Sequence, residues 1–537
     1  MEAGVPQPPG LDEGIACIAD GSSDIIESID GSVGDGFQLV GRARRLGVSA
    51  VLWQSSVLFS TLTTIFLTLI IARVQGPDWY GDLSTFLFIS GVGSTVGAMG
   101  IPNAISKYVS ELDGKKNRRG AAAFSRKQIR MVFKSGIISA VGVLAAMTAV
   151  FVAKGYDDYA SLVVIAISVP VTILFSAATQ LSVGLQNFRS VLVSNVVSKS
   201  FLIVVGLTVV LLDFPLFLYL AVMTCSVGIG AVLQYRASRI YRFEGGGEPI
   251  PEGLESRARG YGKALWVNTV LDLILFTQAG TFFLWLFAGS DVAGQFGIAY
   301  TLTYTITALV SGSIVASLFP EFSRLYGARD TEGSIATFRI GFKANALVII
   351  PTTAMLVLGG SAIASVLFGA SFDQAGEVVF MLAFSSGFVA VGTLTSSYGY
   401  AHEKHATWMW VSVSMSVLAI FLFIVLVPTM GLLGAVIVQS SVWILSTCIC
   451  YYLVISWLKL SIPWRFCGIV AIAAALVYSA IFFAVAAVFS GLPLLLVWGS
   501  SGTVAYLAIV WLLSKYDDDA STILRTAATI LRTAIRV

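Results

Sequence analysis

Residues 48–100 read VSAVLWQSSVLFSTLTTIFLTLIIARVQGPDWYGDLSTFLFISGVGSTVGAMG. Two apolar runs, 48–72 and 83–100, flank the turn Gly76-Pro77-Asp78-Trp79-Tyr80-Gly81. At 1.5 Å per residue, a helix of about this length crosses the ~30 Å hydrocarbon core of a bilayer. The pattern recurs near 131–153, 159–183, 191–212, 215–236, 263–287, 294–319, 341–364, 376–399, 406–427, 431–456, 466–489 and 492–514, which makes fourteen spans. Lipid offers no partner to backbone polar groups, and the runs exceed barrel strands, so an all-α polytopic membrane protein is the expected class. The 537 residues are 56% hydrophobic and only 12% charged, roughly half the charge of a soluble domain. A receptor with a large folded ectodomain, or a soluble enzyme on an anchor, does not fit this composition.

Charge placement orients the spans. With a cytoplasmic amino terminus, thirty Lys and Arg fall on the inside and only Arg73 and Lys154 outside, with Lys199 inside a span. One miscounted helix would invert every later loop, so this asymmetry supports fourteen helices spanning the cell membrane with both termini cytoplasmic. Net charge is +3, which gives no reason to expect a nucleic-acid partner. Residues 1–40 hold eight acids and no base, unlike a signal peptide, and 1–47 reads as a disordered cytoplasmic tail. The five cysteines lack metal-ligand spacing and read as reduced packing residues. The basic stretch from Pro102 to Arg130 marks topology, or lies on an anionic inner leaflet. At the other end, Ile-Leu-Arg-Thr-Ala repeats at 523–527 and 530–534, suggesting an interfacial amphipathic helix in the tail 515–537.

Catalytic signals are lacking. Gly76 to Gly81 is not followed by the Lys-Ser or Lys-Thr of a phosphate loop, and His402 and His405 are three residues apart rather than four. The chain is expected not to be an enzyme, and to hold no metal or cofactor beyond a coupling H+ or Na+. An internal repeat is more informative. Asp78-x-x-Gly81 after the first span and Asp291-x-x-Gly294 after the seventh each precede a span, a proline (Pro102, Pro320) and a basic stretch. This divides the chain into an N-lobe, 48–242, a linker, 243–261, a C-lobe, 262–460, and two extra helices, 461–514. Two pseudo-symmetric six-helix lobes with a cleft between them are the architecture of alternating-access transporters.

The stretch Ala72-Arg73-Val74-Gln75-Gly76-Pro77-Asp78-Trp79-Tyr80-Gly81, with Gly100-Ile101-Pro102-Asn103-Ala104, resembles the start of the polysaccharide and oligosaccharide flippases. These belong to the multidrug, oligosaccharidyl-lipid and polysaccharide exporter superfamily. Asp272, then Asp291-Val292-Ala293-Gly294-Gln295-Phe296-Gly297-Ile298-Ala299-Tyr300, Leu318-Phe319-Pro320-Glu321-Phe322-Ser323 and Val366-Leu367-Phe368-Gly369, extend the resemblance to about residue 400. It implies the fourteen-helix branch of that fold and a substrate of lipid-linked glycan. It would bring membrane lipids as partners, and leaves room for the glycan-assembly enzymes that make such a substrate.

Ionisable groups deep in a span are functional candidates because burying a charge there costs at least ~2.5 kcal/mol. Lys199 and Asp272 both fall near mid-span, each preceded four residues earlier by an asparagine, Asn195 and Asn268, on the same helix face. In one reading Lys199 and Asn195 contact an anionic headgroup, while Asp272 with Asn268 and Gln278 takes a coupling cation or proton. In another, Lys199 and Asp272 form an ion pair that tethers the lobes; in a third they face a wet crevice. Tyr300, Thr303, Tyr304, Thr307 and Ser311 recur at helical spacing and either line a cleft, with Tyr300 and Tyr304 as substrate contacts, or bond their own helix. The functions these readings allow are a flippase moving a polyprenyl- or dolichyl-phosphate-linked glycan from the cytoplasmic to the outer leaflet, a cation-coupled multidrug exporter, and a non-transporting scaffold for glycan assembly.

Overall fold

The computed structural model describes residues 11–238, 250–276, 279–402, 404–458 and 462–513. Every regular element among them is helical. The first half comprises α1 (Leu11–Ala98), α2 (Ile101–Gly114), α3 (Arg118–Lys154), α4 (Tyr159–Gly184), α5 (Phe188–Phe201), α6 (Leu207–Leu211) and α7 (Leu216–Ala237). The second comprises α8 (Leu254–Phe276), α9 (Ala279–Phe287), α10 (Ser290–Tyr300), α11 (Ile306–Gly327), α12 (Thr331–Phe368), α13 (Asp373–Ala401) and α14 (His405–Leu458), followed by α15 (Trp464–Ala486) and α16 (Gly491–Leu513). α1 is traced from within the acidic leader read above as unstructured, but side chains before 49 lie outside the description, as does the repeat-bearing tail.

Ten helices among the described residues are long and apolar enough to cross a membrane. Two of them, in α1 and α14, are about twice the length a single crossing needs, and each folds back at a glycine, Gly76 (φ 80°) and Gly431 (φ 55°). The stretches read as spans seven and eight form the shorter segments α8, α9, α10 and α11, so fourteen remains the count given by the sequence. The connections read as tight outside turns each carry one residue of positive φ: Gly76, Gly155, Asp213, Gly289, Gly369, Gly431 and Gly491. Reversal within so few residues needs left-handed backbone, which glycine adopts without a Cβ clash. We call this the turn end, and the opposite one the basic end.

The helices pack in two groups. α1 packs on α3, α4 and α5, and α4 on α7; α12 packs on α11, α13 and α15, and α13 on α14. The halves meet chiefly where α1 lies along α10. The additional helices α15 and α16 attach to α12: the Trp498 ring occupies the space a Cβ on Gly359 would need, and its indole N–H donates to the Tyr478 carbonyl at 2.9 Å. One boundary differs from the sequence reading. α8 begins at Leu254, inside the stretch read as linker, because Leu254 and Ala258 are buried with Ile105, Tyr108 and Phe124 of the first half. The same cluster accounts for α2, whose apolar face docks on protein. Lys343 lies in α12, 7% exposed, with its ammonium 5.0 Å from the Phe466 ring centroid.

Candidate functional site

At the turn end the two repeat motifs meet. A Cβ on Gly81 would overlap the Ser290 carbonyl, and one on Gly294 would overlap the Pro77 carbonyl. The glycines of the two Asp-x-x-Gly turns thus permit α1 and α10 to touch backbone to backbone. Asp82, next in sequence to Gly81, ties this seam together. Its carboxylate accepts from the Tyr156 hydroxyl at 2.6 Å, the Trp285 indole N–H at 2.8 Å and the Ser290 hydroxyl at 2.5 Å. Charge-assisted bonds of this length are the stronger kind. Burial, reinforced by the bond to Asp82, pushes the Tyr156 phenol well above its ordinary pKa, so it stays a protonated donor. Lys154 completes the cluster, donating to the Trp285 carbonyl with its ammonium 3.6 Å from the Trp285 ring centroid. Arg73 reaches across to the Val366 carbonyl at 3.4 Å, in the motif Val366–Gly369. Gln295 holds both the Ser371 carbonyl (2.7 Å) and the Ala375 N–H (3.0 Å).

Inside the second half, α8, α11, α13 and α14 enclose a hollow of about 470 Å³. Asp272 exposes its side chain along this hollow, with Tyr304, Thr307, Ser311, Tyr400 and Trp408 among the other lining residues. Tyr304 is held from behind by Trp443 and Tyr300, with ring centroids 5.3 Å away in each case. The hydroxyl-bearing residues divide. Thr303 and Thr307 bond back to their own helix at 2.8 and 2.9 Å, while Ser311 crosses to the Ala390 carbonyl (2.8 Å) and Thr393 hydroxyl (2.6 Å). An oxygen-rich hollow with one carboxylate suits a hard cation or a proton.

The remaining candidates separate from this hollow. Tyr300 is 4% exposed and backs Tyr304 rather than lining the cavity. Asn195 donates to the Ser56 hydroxyl at 2.7 Å, a bond between α5 and α1. Lys199 is half-buried on α5 and does not line the Asp272 hollow. Neither Lys199 nor Asp272 forms an ion pair among the described residues, so the tethering pair is not formed; Asp82 and the repeat glycines join the halves instead. The Asn268 side chain and Gln278 lie outside the described residues. Lys199 and Tyr300 do share one feature. A π-helical turn follows each, Leu202–Gly206 and Thr301–Thr305, and such bulges are frequent at functional sites. Sequence reasoning overlooked Asp82, Tyr400 and Trp408. An acid beside the repeated glycine was the available signal for Asp82; the other two had none.

The fold has known counterparts. The lipid II flippase MurJ in its inward closed conformation matches 87% of this chain and 99% of its own, with a TM-score of 0.63 at 14% identity. An inward-facing multidrug resistance MATE family transporter of the MOP superfamily matches 74% of this chain and 95% of its own, with a TM-score of 0.61 at 15% identity. A MOP superfamily transporter from Pyrococcus furiosus, described by the reverse polarity of its binding pocket, matches 78% and 96%, with a TM-score of 0.52 at 14% identity. At these identities the likeness is one of fold. No curated protein matches the sequence. The sequence profile of the family described as polysaccharide biosynthesis protein covers residues 49–326, more than half of the chain, and the chain belongs to that family.

Proposed function

We propose that the protein is a flippase that carries a polyprenyl- or dolichyl-phosphate-linked glycan from the cytoplasmic to the outer leaflet of the cell membrane by alternating access. The observation that carries this reading is the meeting of the two repeat glycines, Gly81 and Gly294, backbone to backbone at one end of the molecule. Equivalent elements of two related halves closing one end is the geometry from which rocking of one half against the other opens it. In this scheme the turn end faces outward, the glycan passes between the halves, and the lipid tail stays in the bilayer. Asp272 takes the coupling H+ or Na+, with Asn268 and Gln278 as its sequence neighbours in that role. Inward movement of one such charge through 100 mV releases about 2.3 kcal/mol. Lys199, with Asn195 on its helix face, contacts the anionic headgroup, and Tyr300 positions Tyr304 for the substrate.

A second reading draws on one specific observation. The Asp272 hollow is acidic and bordered by Tyr304, Tyr400 and Trp408, the lining an exporter of cationic amphiphiles would use. Purified protein in liposomes separates the two. A flippase moves a fluorescent lipid-linked oligosaccharide between leaflets, and a deletion strain accumulates the lipid-linked glycan in its inner leaflet. Protein-dependent uptake of a cationic dye, with no movement of any lipid-linked glycan, would establish the exporter instead.

A further inference from the structure

A second hollow, about 270 Å³, lies between α8 and the first half. Thr95 at the end of α1, Asn103 on α2, Thr172 and Ser176 on α4, and Trp266 and Thr269 on α8 supply its polar and aromatic lining. Among the described residues, no charged side chain borders it. The Trp266 indole N–H donates to the Thr95 carbonyl at 3.0 Å, and the Thr269 hydroxyl bonds its own helix at Leu265, 2.9 Å away. These bonds hold the ring and the α8 wall in place. The Asn103 amide and the Thr95, Thr172 and Ser176 hydroxyls make no hydrogen bond to the described residues. Four neutral groups that donate and accept thus border one small space, each partly exposed and available to a polar ligand.

We infer that this hollow is a subsite for a single neutral sugar ring, resting on the flippase reading and deepening it. A phosphate or a uronate would seek Lys or Arg, and none lines the space. A cation would seek a carboxylate; Asp272 is six residues beyond Trp266, ~9 Å along α8 and rotated by roughly 120°, and faces the other hollow. A pyranose matches what is present. Its hydroxyls both donate and accept, an asparagine amide spans two adjacent ones, and its C–H face suits an indole. Pockets for drug-sized ligands run to about 300–1,000 Å³, so a space of 270 Å³ holds one ring rather than an oligosaccharide or a lipid chain. α8 is therefore a partition, with the sugar subsite on one side and the Asp272 hollow on the other.

The test uses the full chain in nanodiscs and saturation-transfer NMR with methyl glycosides of glucose, galactose, mannose and N-acetylglucosamine, with glucuronate as the charged control. At least one neutral glycoside should bind saturably and glucuronate should not. Asn103→Ala, and separately Thr172→Val with Ser176→Ala, should each weaken that binding by about three- to tenfold, while Ser500→Ala on α16, whose hydroxyl bonds only its own helix, leaves it unchanged. Wild-type protein that binds no neutral glycoside, binds glucuronate equally well, or keeps its affinity in both sets of variants overturns the subsite. Should one variant fail to fold, the other reads the same hollow, and the neutral-against-uronate preference of the wild type decides alone if both fail. Saturable, variant-sensitive sugar binding without lipid-linked glycan movement in liposomes would leave the subsite standing and remove the flippase reading; normal movement with no sugar binding would do the reverse.

Discussion

The two places where the halves meet are built from different physics. At the turn end, α1 and α10 touch through glycine backbone, and Asp82 gathers three short hydrogen bonds from Tyr156, Trp285 and Ser290. At the basic end, α8 lies on α1 and α2. Glycine again permits contact, Gly100 against Gly262, and beside the partly buried Trp266–Thr95 bond the ion pairs here are solvent-facing: Arg257 with Glu111 at 3.4 Å and Lys127 with Glu255. Partly sheltered, charge-assisted bonds are strong and weakly screened, whereas exposed ion pairs contribute little and fade with salt. In the proposed alternating-access cycle, the turn end is therefore the seam whose opening must be driven. The basic-end contact is the looser one, and it holds the start of the helix that carries Asp272.

The contrast is broken most directly at the turn end. Gly294→Leu places a side chain into the Pro77 carbonyl, and overpacking of this kind costs about 1–3 kcal/mol or more. Glycan translocation should fall to background while the protein still inserts, as checked by a liposome assay beside gel filtration. Wild-type translocation would mean that the glycine seam is not a moving part. Asp82→Asn is the next largest. It removes the charge from three hydrogen bonds, and at about 1.5–3 kcal/mol for bonds to a charged group the loss should lower the thermal midpoint in detergent measurably. An unchanged midpoint would reduce the cluster to a contact without energetic weight.

Much of this architecture was legible before any coordinates. Apolar run length, the charge asymmetry and the repeated Asp-x-x-Gly are local properties, and they locate the helices, the turn end and the repeat. What the repeat is for was not legible. Gly81 and Gly294 are far apart in the chain, and only folding shows that each faces the other's turn. Asp82 was hidden for the same reason, since its partners lie 74, 203 and 208 residues away. Lys199 and Asn195 show the limit of such local signals. Insertion cost marks a buried polar group as unusual but does not say which neighbour it meets; Asn195 meets Ser56, and Lys199 is not joined to Asp272. Asp272 stood out by its depth in an apolar run and borders a hollow, while Tyr400 and Trp408, which also line it, come from helices with no distinguishing pattern.

The intramembrane pair sharpens the same comparison at intermediate size. Asp272→Asn should leave glycan binding intact and abolish any acceleration by a proton or sodium gradient, read as the ratio of rates with and without the gradient. A preserved ratio removes Asp272 from coupling. Lys199→Ala should raise the concentration of lipid-linked glycan needed for half-maximal rate without altering that ratio, because Lys199 does not border the Asp272 hollow. If Lys199→Ala changed the gradient response as well, the residues would act as one unit despite their separation.

The smallest expected effect lies at the basic end, in Glu111. Its carboxyl is held below the ordinary value chiefly by the hydrogen bond from Lys115, with the Arg257 charge adding to it. A carboxyl lowered in the folded state contributes stability above its unfolded pKa, and that contribution is lost as pH falls through the lowered value. Acidification into and below the carboxylate range should therefore loosen α8 from α2, as should high salt at neutral pH or Glu111→Gln. Hydrogen exchange across Leu254–Tyr261 is the measurement, with the amides around Asp82 as internal reference. Faster exchange at α8 in molar salt, with the Asp82 region unmoved, is the expected result. Equal acceleration at both ends would mean that the seams do not differ in screening, and the division between a driven end and a loose end would no longer hold.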